Sequence, residues 1–419
     1  MIDYLKIAWR NLSRNYIRSL IAILAIGIVV AIVVFSRGTI VGFGDNSYNM
    51  YIDYQFGHAR LINDDYEHRQ SLLSLDYTID GLEEADLNGM IMEIERLEEV
   101  EYILPRIQFG AVYSGDNLIR MAGIGIDSER EMFHGVIERD LIIGRLPEAD
   151  NEIVIGSGLI NELGYDYGDR ITFMYSDVYQ SLQGRTFEVV GISETGFSEI
   201  DDNLFYLPLN TTQNMLGLEN QVTELMVFTD SRANSYSLKN ELDLLISERD
   251  TRDIYSVIHW EEGNPMLEIL LEFDNFWALI YAGFILMGSV VVISTLKMII
   301  RERRGEIGMM SALGLNNKDI MKIFIFEGSF MGILGSLSGV TIGGFLTYYL
   351  SIHGLHVKAY ADTVAGTGML IDSAFYPIHS LENLIISFLF GGVIVTIACL
   401  YPAWKASRLD PVDALKVDA

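Results

Sequence analysis

The side chains best able to act in this chain are charged, and they crowd one short stretch. "TLKMIIRERRGEIGMMSALGLNNKDIMKIF", residues 295–324, sets Lys297, Arg301, Arg303, Arg304 and Glu306 between two strongly apolar runs. Such a cluster does not make or break bonds. It steers and orients, because guanidiniums and a carboxylate at helical spacing fix the register of a docked partner. Behind the charges stand Ile307, Met310 and Leu313, three residues apart, a small apolar face that a groove on a soluble partner can accept. Gly314 fits the C-cap of that helix, and Asn316 or Asn317 the N-cap of the next. The spacing predicts a helix over about 306–313.

Bond-making chemistry finds little support. The seven histidines are scattered. His353 and His356 could share a helical turn, but no acid or cysteine nearby completes a metal set. The single cysteine, Cys399, excludes an internal disulfide framework and a Cys-based zinc site. "GSG" at 156–158 lacks the G-x-S-x-G form of a nucleophile elbow. No GxxxxGK[ST] phosphate loop occurs, so no cofactor is expected on this chain, and any ATP-driven step needs a separate polypeptide. A net charge of -28 excludes a nucleic-acid partner, which requires basic surface.

The elements that position the charged stretch are membrane spans. Half of the 419 residues are hydrophobic. Four segments are long enough to cross a bilayer: Ser19 to Ser36, Phe276 to Leu296, about Ile320 to Leu350, and Leu384 to Tyr401. The first reads as a retained anchor rather than a signal peptide, since no small-residue cleavage site follows it. Basic residues set the orientation. Lys6, Arg10, Arg14 and Arg18 precede the first span; Lys297, Arg301, Arg303, Arg304, Lys318 and Lys322 join the second to the third; Lys405, Arg408 and Lys416 follow the fourth. Both termini and the charged loop are therefore expected in the cytosol, and the acidic remainder outside.

The expected fold class is an integral membrane α-helical protein of four transmembrane helices, with a large extracytoplasmic α+β domain between the first and second. Its parts run as a cytosolic amphipathic helix (1–18), first span (19–37), extracytoplasmic domain with stalk ends (38–274), second span (275–297), cytosolic coupling loop (298–318), third span (319–350), extracytoplasmic loop (351–382), fourth span (383–402) and cytosolic tail (403–419). In the opening helix Leu5, Ala8, Trp9 and Leu12 share a face. Outside, "LNGMIMEIERLEEVEYILPRI" reads as helix then strand. "NEIVIGSGLINELGYDYGDRITFMY" reads as strand, helix, glycine turn and strand, "GRTFEVVGISETG" and "TELMVFTD" as strands, and "RANSYSLKNELDLLISE" as an amphipathic helix. In the third span Gly328, Gly332, Gly335, Gly339 and Gly343 recur every three or four residues, a small-residue face for close helix packing. Glu327 beside them is costly in a bilayer and is expected to reach the interface or cap a neighbour. Asp410-Pro411 fits an N-cap and first-turn proline, and Pro402 is expected to end or bend the fourth span.

"ERRGEIGMMSALGLNNKDI", Glu302 to Ile320, closely resembles the coupling-helix region of the FtsX-like permeases of the MacB-type ABC transporter superfamily. "YPAWKASRLDPVDALK", Tyr401 to Lys416, resembles their carboxy-terminal signature, and "AWRNLSRNYIRSLI", Ala8 to Ile21, their opening. "FGHARLINDDY", Phe56 to Tyr66, "LGYDYGDRITF" and "FEVVGISETGFSEIDDNLFYLPL" are similar to the lipoprotein-releasing LolC/LolE type. The resemblance implies a multi-pass permease of the cytoplasmic membrane, not itself an enzyme. It implies a dimer of ABC ATPase subunits carrying ATP and Mg, and a second permease, self or paralogue. Arg301, Arg303, Arg304, Glu306, Ile307, Met310, Leu313 and Gly314 become the ATPase-coupling residues. ATP-driven closure would push the coupling helices and move the outer domain as a lever, extracting or exporting lipoproteins or other amphiphiles from the outer leaflet. By the same analogy Phe35, Ile40, Phe43, Leu270, Phe273, Phe276 and Trp277 are the expected lipid contacts. Two alternatives stand beside this: a non-transporting mechanical regulator of a cell-wall hydrolase, and an antimicrobial-peptide or macrolide exporter or sensor.

Overall fold

The computed structural model describes residues 2–14, 16–67, 73–82, 85–115, 118–249, 254–262, 265–356 and 374–408. They fall into two compact units, one of residues 1–45, 271–355 and 375–419, the other of residues 46–270 and 356–374. The motif at Asp410-Pro411 and most of the loop expected at 351–382 lie outside the described residues.

The first unit is helical. Its elements belong to α1 (Ile2–Arg14), α2 (Tyr16–Tyr51), α3 (Pro265–Glu302), α4 (Arg304–Ala312), α5 (Asn317–His353) and α6 (Leu381–Ser407). Among the described residues three stretches are long and apolar enough to cross a membrane: Ser19–Phe56, Asn317–His353 and Leu381–Ser407. The expected second span lies in α3, a helix of 38 residues, many of whose side chains are outside the described residues. Pro402 does not end α6, which continues to Ser407. In a membrane setting neighbouring helices and local adjustments tolerate the missing N–H.

Close backbone approach holds the bundle together. A Cβ added at Gly335 would stand 2.6 Å from Ile26 Cβ, and one at Gly339 would stand 2.5 Å from the Gly27 carbonyl. At Gly343 it would meet Ala31 O at 2.8 Å, and at Gly332 Val395 at 3.0 Å. One glycine face of α5 thus meets α2 at Gly335, Gly339 and Gly343, over about two turns, and α6 at Gly332, and Gly328 is buried with them. Asn383 of α6 donates from Nδ2 to the Val34 carbonyl of α2 at 3.1 Å. Helix α1 packs on α5 through Leu12, buried with Met331, and through Trp9, whose ring lies edge-on to Phe330.

The second unit is an α+β domain around a ten-stranded sheet. Its strands are β1 (Ala59–Asn63), β2 (Tyr102–Ser114), β3 (Leu118–Ile126), β4 (Leu141–Gly144), β5 (Glu152–Gly156), β6 (Arg170–Ser176), β7 (Leu182–Ser193), β8 (Leu204–Pro208), β9 (Glu224–Phe228) and β10 (Tyr255–His259). The order is β10-β1-β9-β2-β3-β8-β5-β7-β4, and β6 pairs with both β2 and β7. Strands β2-β3-β8-β5-β7-β6 therefore form a closed path of pairings, which leaves edges only at β10 and β4 outside it. Alternation explains β6, whose Ile171, Phe173 and Tyr175 point into the core while their neighbours point out. All five residues of β9 are buried, as its interior position requires. Helices Leu87–Ile94 and Ser235–Glu248 bury Met90, Ile91 and Ile94, and Leu238, Leu242 and Ile246, against that core. After strand β5 the helix Ser157–Leu163 ends at Gly164, whose φ of +75° lies in the left-handed region that favours a residue without a Cβ.

Candidate functional site

The charged stretch folds as a joint of two helix ends. Helix α3 stops at Glu302 and α4 starts at Arg304, with Arg303 between them. Helix α4 ends at Ala312; Gly314 follows with φ +95°, and Leu315 N donates back to the Met310 carbonyl at 3.1 Å. Asn316 is the N-cap of α5, through its backbone and without a side-chain bond. The three arginines then part company. Arg303 is buried and donates from Nε to Glu306 Oε2 at 2.9 Å and from Nη2 to Asn11 Oδ1 at 2.6 Å. Its Nη1 stands 3.5 Å from Glu327 Oε2, so the acid inside α5 meets a cation from the joint. Glu306 also accepts from Arg14 of α1. Burial works to raise the Glu306 carboxyl, but Arg14 and Arg303 outweigh it and hold the group below its ordinary range. Arg301 and Arg304 turn elsewhere, beside Lys297 and Lys405.

The apolar residues of α4 divide as well. Ile307 is 1% exposed and packs with Ile320, Phe324, Ala403 and Ala406, with Met310 partly buried against them. Leu313 at 77% and Met309 at 55% are the exposed pair. Between α1, α4 and α5 lies a cavity of about 250 Å³, lined among others by Ile7, Asn11, Arg14, Glu306 and Leu313. Expecting one apolar face at 307, 310 and 313 missed that the inner two positions hold α4 to α5 and α6.

At the other end of the helical unit a cleft of about 400 Å³ lies between α2, α3 and α6. Ile40 and Trp277 line it, as do Val33, Val41, Tyr281 and Phe390. Trp277 stacks on Tyr281 with ring centroids 6.5 Å apart. Arg37 is the cation in this apolar wall, and Ser387 adds a hydroxyl. Phe276 is exposed beside Trp277. Phe35 and Phe43 are half-buried on α2 and are not among the described lining residues. Leu270 and Phe273 have side chains outside the described residues. The contribution of α6, through Ile386 and Phe390, had no sequence signal beyond general apolarity.

Within the second unit, the end of α2 is tied into the sheet. The helix tightens into a π-turn over Ile52–Phe56, and Gly57 follows with φ +65°. Arg106 of β2 donates from Nη1 to the Tyr54 carbonyl at 2.8 Å and pairs with Glu131 at 2.7 Å, all of it buried. Burial works against the Arg106 charge, but the Glu131 carboxylate outweighs it and raises the guanidinium above its usual range. Met50, Tyr51, Ile52, Tyr54 and Phe56 pack with Leu104, Phe197, Met226, Phe228 and Trp260. His58, in the Gly-His segment, accepts from Thr229 N at Nδ1 and is pushed down to about 4 by burial and by Arg232.

Comparison with known proteins bears on what this arrangement is for. Residues 278–411 match the family described as FtsX-like permease C-terminal, and residues 19–245 match the MacB-like periplasmic core domain. The chain belongs to the FtsX-like, MacB-type permease family. It is similar to the lipoprotein-releasing system transmembrane protein LolC of Xylella fastidiosa, with 25% identity over 75% of this chain and 77% of that one. Against LolE of Haemophilus influenzae the identity is 28%, over 64% of this chain and 65% of that one. Against the macrolide export ATP-binding/permease protein MacB of Bartonella quintana it is 27%, over 51% of this chain and 30% of that one. This FtsX-like, MacB-type chain is an ABC transporter permease of the LolC/LolE or MacB type, with membrane-spanning helices and a large α+β domain.

Proposed function

We propose that this permease couples ATP hydrolysis by a separate ATPase subunit to movement of its extracytoplasmic domain, and so extracts lipoproteins or other acylated amphiphiles from the outer leaflet. Helix α3 is the fourth span, and the termini and α4 face the cytosol. The observation that carries the substrate class is the cleft of about 400 Å³ walled by Val33, Ile40, Val41, Trp277 and Phe390. An apolar volume of this size takes acyl chain rather than a hydrated solute. The relatives named LolC and LolE, at 25% and 28% identity, support that class. On the opposite side, Leu313 and Met309 present exposed apolar surface next to the Arg14–Glu306 pair, which suits a helix that seats in a groove of the ATPase.

The test is reconstitution. The permease purified in mild detergent should bring an ATPase with it. Photo-crosslinkers at Ile40, Val41 and Phe390 should capture a radiolabelled lipoprotein, in a reaction lost on Trp277→Glu. An ATPase that never associates sinks the coupling, and capture at outward-facing α5 positions instead of the cleft sinks the substrate class.

A further inference from the structure

The two arginines that leave the Arg303 network build a second site. Lys297, Arg301, Arg304 and Lys405 converge on a cavity of about 320 Å³ between the ends of α3 and α6, with Ile300 and Pro402 completing its wall. Lys297, Arg301 and Arg304 are four and three residues apart, so they stand on one face where α3 passes into α4. Among the described residues no acid lines the cavity, and none of the four cations is paired with a carboxylate. Arg304 Nε is buried without a hydrogen-bond partner. Like charges gathered this closely repel, and a buried guanidinium nitrogen left unbonded is costly. Helix C-termini favour cations singly, through their exposed carbonyls, but do not require four around one volume.

The walls leading to this cavity change character along their length. On α6, Ile397, Tyr401 and Lys405 follow at four-residue spacing on one face; Ile397 is 58% and Tyr401 54% exposed. Lys297 Nζ stands 5.7 Å from the Tyr401 ring centroid. On α3, Val290 is exposed, and Lys297 and Arg301 come one and two turns after Ser294. Hydrocarbon, then an aromatic ring, then guanidinium and ammonium groups is the order of a phospholipid read from chain to phosphate. A soluble acidic protein would need the cations but not the apolar approach.

We infer that the cavity formed by Lys297, Arg301, Arg304 and Lys405 binds the phosphate headgroup of an anionic glycerophospholipid of the inner leaflet. Arg301 and Arg304 supply planar forks for the phosphate oxygens, and the two lysines add point charges. The ligand chemistry is a phosphodiester anion; the source is the bilayer, with its acyl chains laid along Ile397 and Tyr401. This assigns Arg301 and Arg304 to lipid rather than to the ATPase face.

The experiment uses the full-length protein in detergent, where binding depends neither on membrane orientation nor on an ATPase. Native mass spectrometry and thermal melting are run with added dioleoyl-phosphatidylglycerol, dioleoyl-phosphatidylcholine, or inorganic phosphate. Phosphatidylglycerol should remain bound and raise the melting temperature by several degrees; phosphatidylcholine and inorganic phosphate should not. Each neutralised cation should weaken retention about five-fold, so Arg301→Gln/Arg304→Gln should lose it about 25-fold. Arg304→Lys should retain part, and Lys318→Gln, exposed and outside the cavity, all of it. Equal stabilisation by inorganic phosphate would make this a free-anion site and overturn the lipid source. Undiminished phosphatidylglycerol retention in the double Gln variant overturns the proposal outright. Should that variant instead keep lipid and shed a co-purifying ATPase, the cavity is a protein-docking surface.

Discussion

Arg303 stands 3.5 Å from Glu327, and the pair links the joint between α3 and α4 to a carboxylate that is 1% exposed inside α5. Removing the arginine alone leaves a buried charge. Arg303→Met should therefore cost about 3–5 kcal/mol, while Arg303→Met/Glu327→Met should recover most of it. Melting of the detergent-solubilised protein reads both. If the single and double variants melt alike, the pair is not coupled.

Glu306 accepts from both Arg14 and Arg303. Reversing it should break this triangle without touching the apolar packing of Ile307. Glu306→Lys is expected to insert normally and to leave the partner's ATP hydrolysis running. Under the function proposed above, the ratio of lipoprotein released to ATP consumed should fall by a factor in the range of about 5–150 typical of coupling energies. Gly314→Trp should act in the same direction, because φ +95° strains any side chain there. Unchanged release per ATP in both variants would remove the docking role.

The glycine face can be probed one methyl group at a time. Gly339→Ala puts a Cβ 2.5 Å from a backbone carbonyl of α2, which cannot rotate away, and should destabilise the protein by about 1–3 kcal/mol. Gly392→Ala on α6 meets nothing within 4 Å and should be neutral or slightly stabilising, by up to about 1 kcal/mol. Equal melting temperatures for the two would show that α5 and α2 can part freely.

Acid should loosen the α+β domain through its histidines. Burial pushes His58 and His134 down to about 4 from an ordinary 6.5. The unfolded chain thus takes protons that the folded one refuses. Stability is full above pH 6.5 and falls as pH drops toward 4, by roughly 2–3 kcal/mol for each histidine at most. Asp53 and Asp201 work the other way: burial raises each to about 6, so their contributions are lost as pH rises through 6. Burial lowers His259 as well, and the three histidines outweigh the two aspartates, so unfolding followed at Trp260 fluorescence should come at lower temperature at pH 4.5 than at pH 7. His58→Gln should flatten that slope; an unaltered slope would place the lability elsewhere.

The first, third and fourth spans, the amphipathic opening helix and the helix Ser235–Glu248 were legible because each writes its apolar character into a local pattern. Leu238, Leu242 and Ile246 announce one buried face at helical spacing. The glycine positions of α5 were legible for the same reason. What α5 would meet there was not, since Ile26 and Val30 are about three hundred residues away in sequence. The splitting of "RERRGE" was invisible too. Its arginines are alike as letters and part only because the chain changes direction at Arg303, sending one into the bundle and two into a cavity shared with Lys405. Likewise nothing in β2 signals that Arg106 will satisfy the Tyr54 carbonyl, because a buried arginine in a strand looks like any surface one.

The looped circuit of strands from β2 through β3, β8, β5, β7 and β6 back to β2 has a mechanical meaning. A sheet with a loose border unzips, one rung at a time, under a small tug. A hoop offers no corner at which peeling can start, so many rungs must give way together. The movement proposed above for this domain would call on that toughness more than on a high melting point.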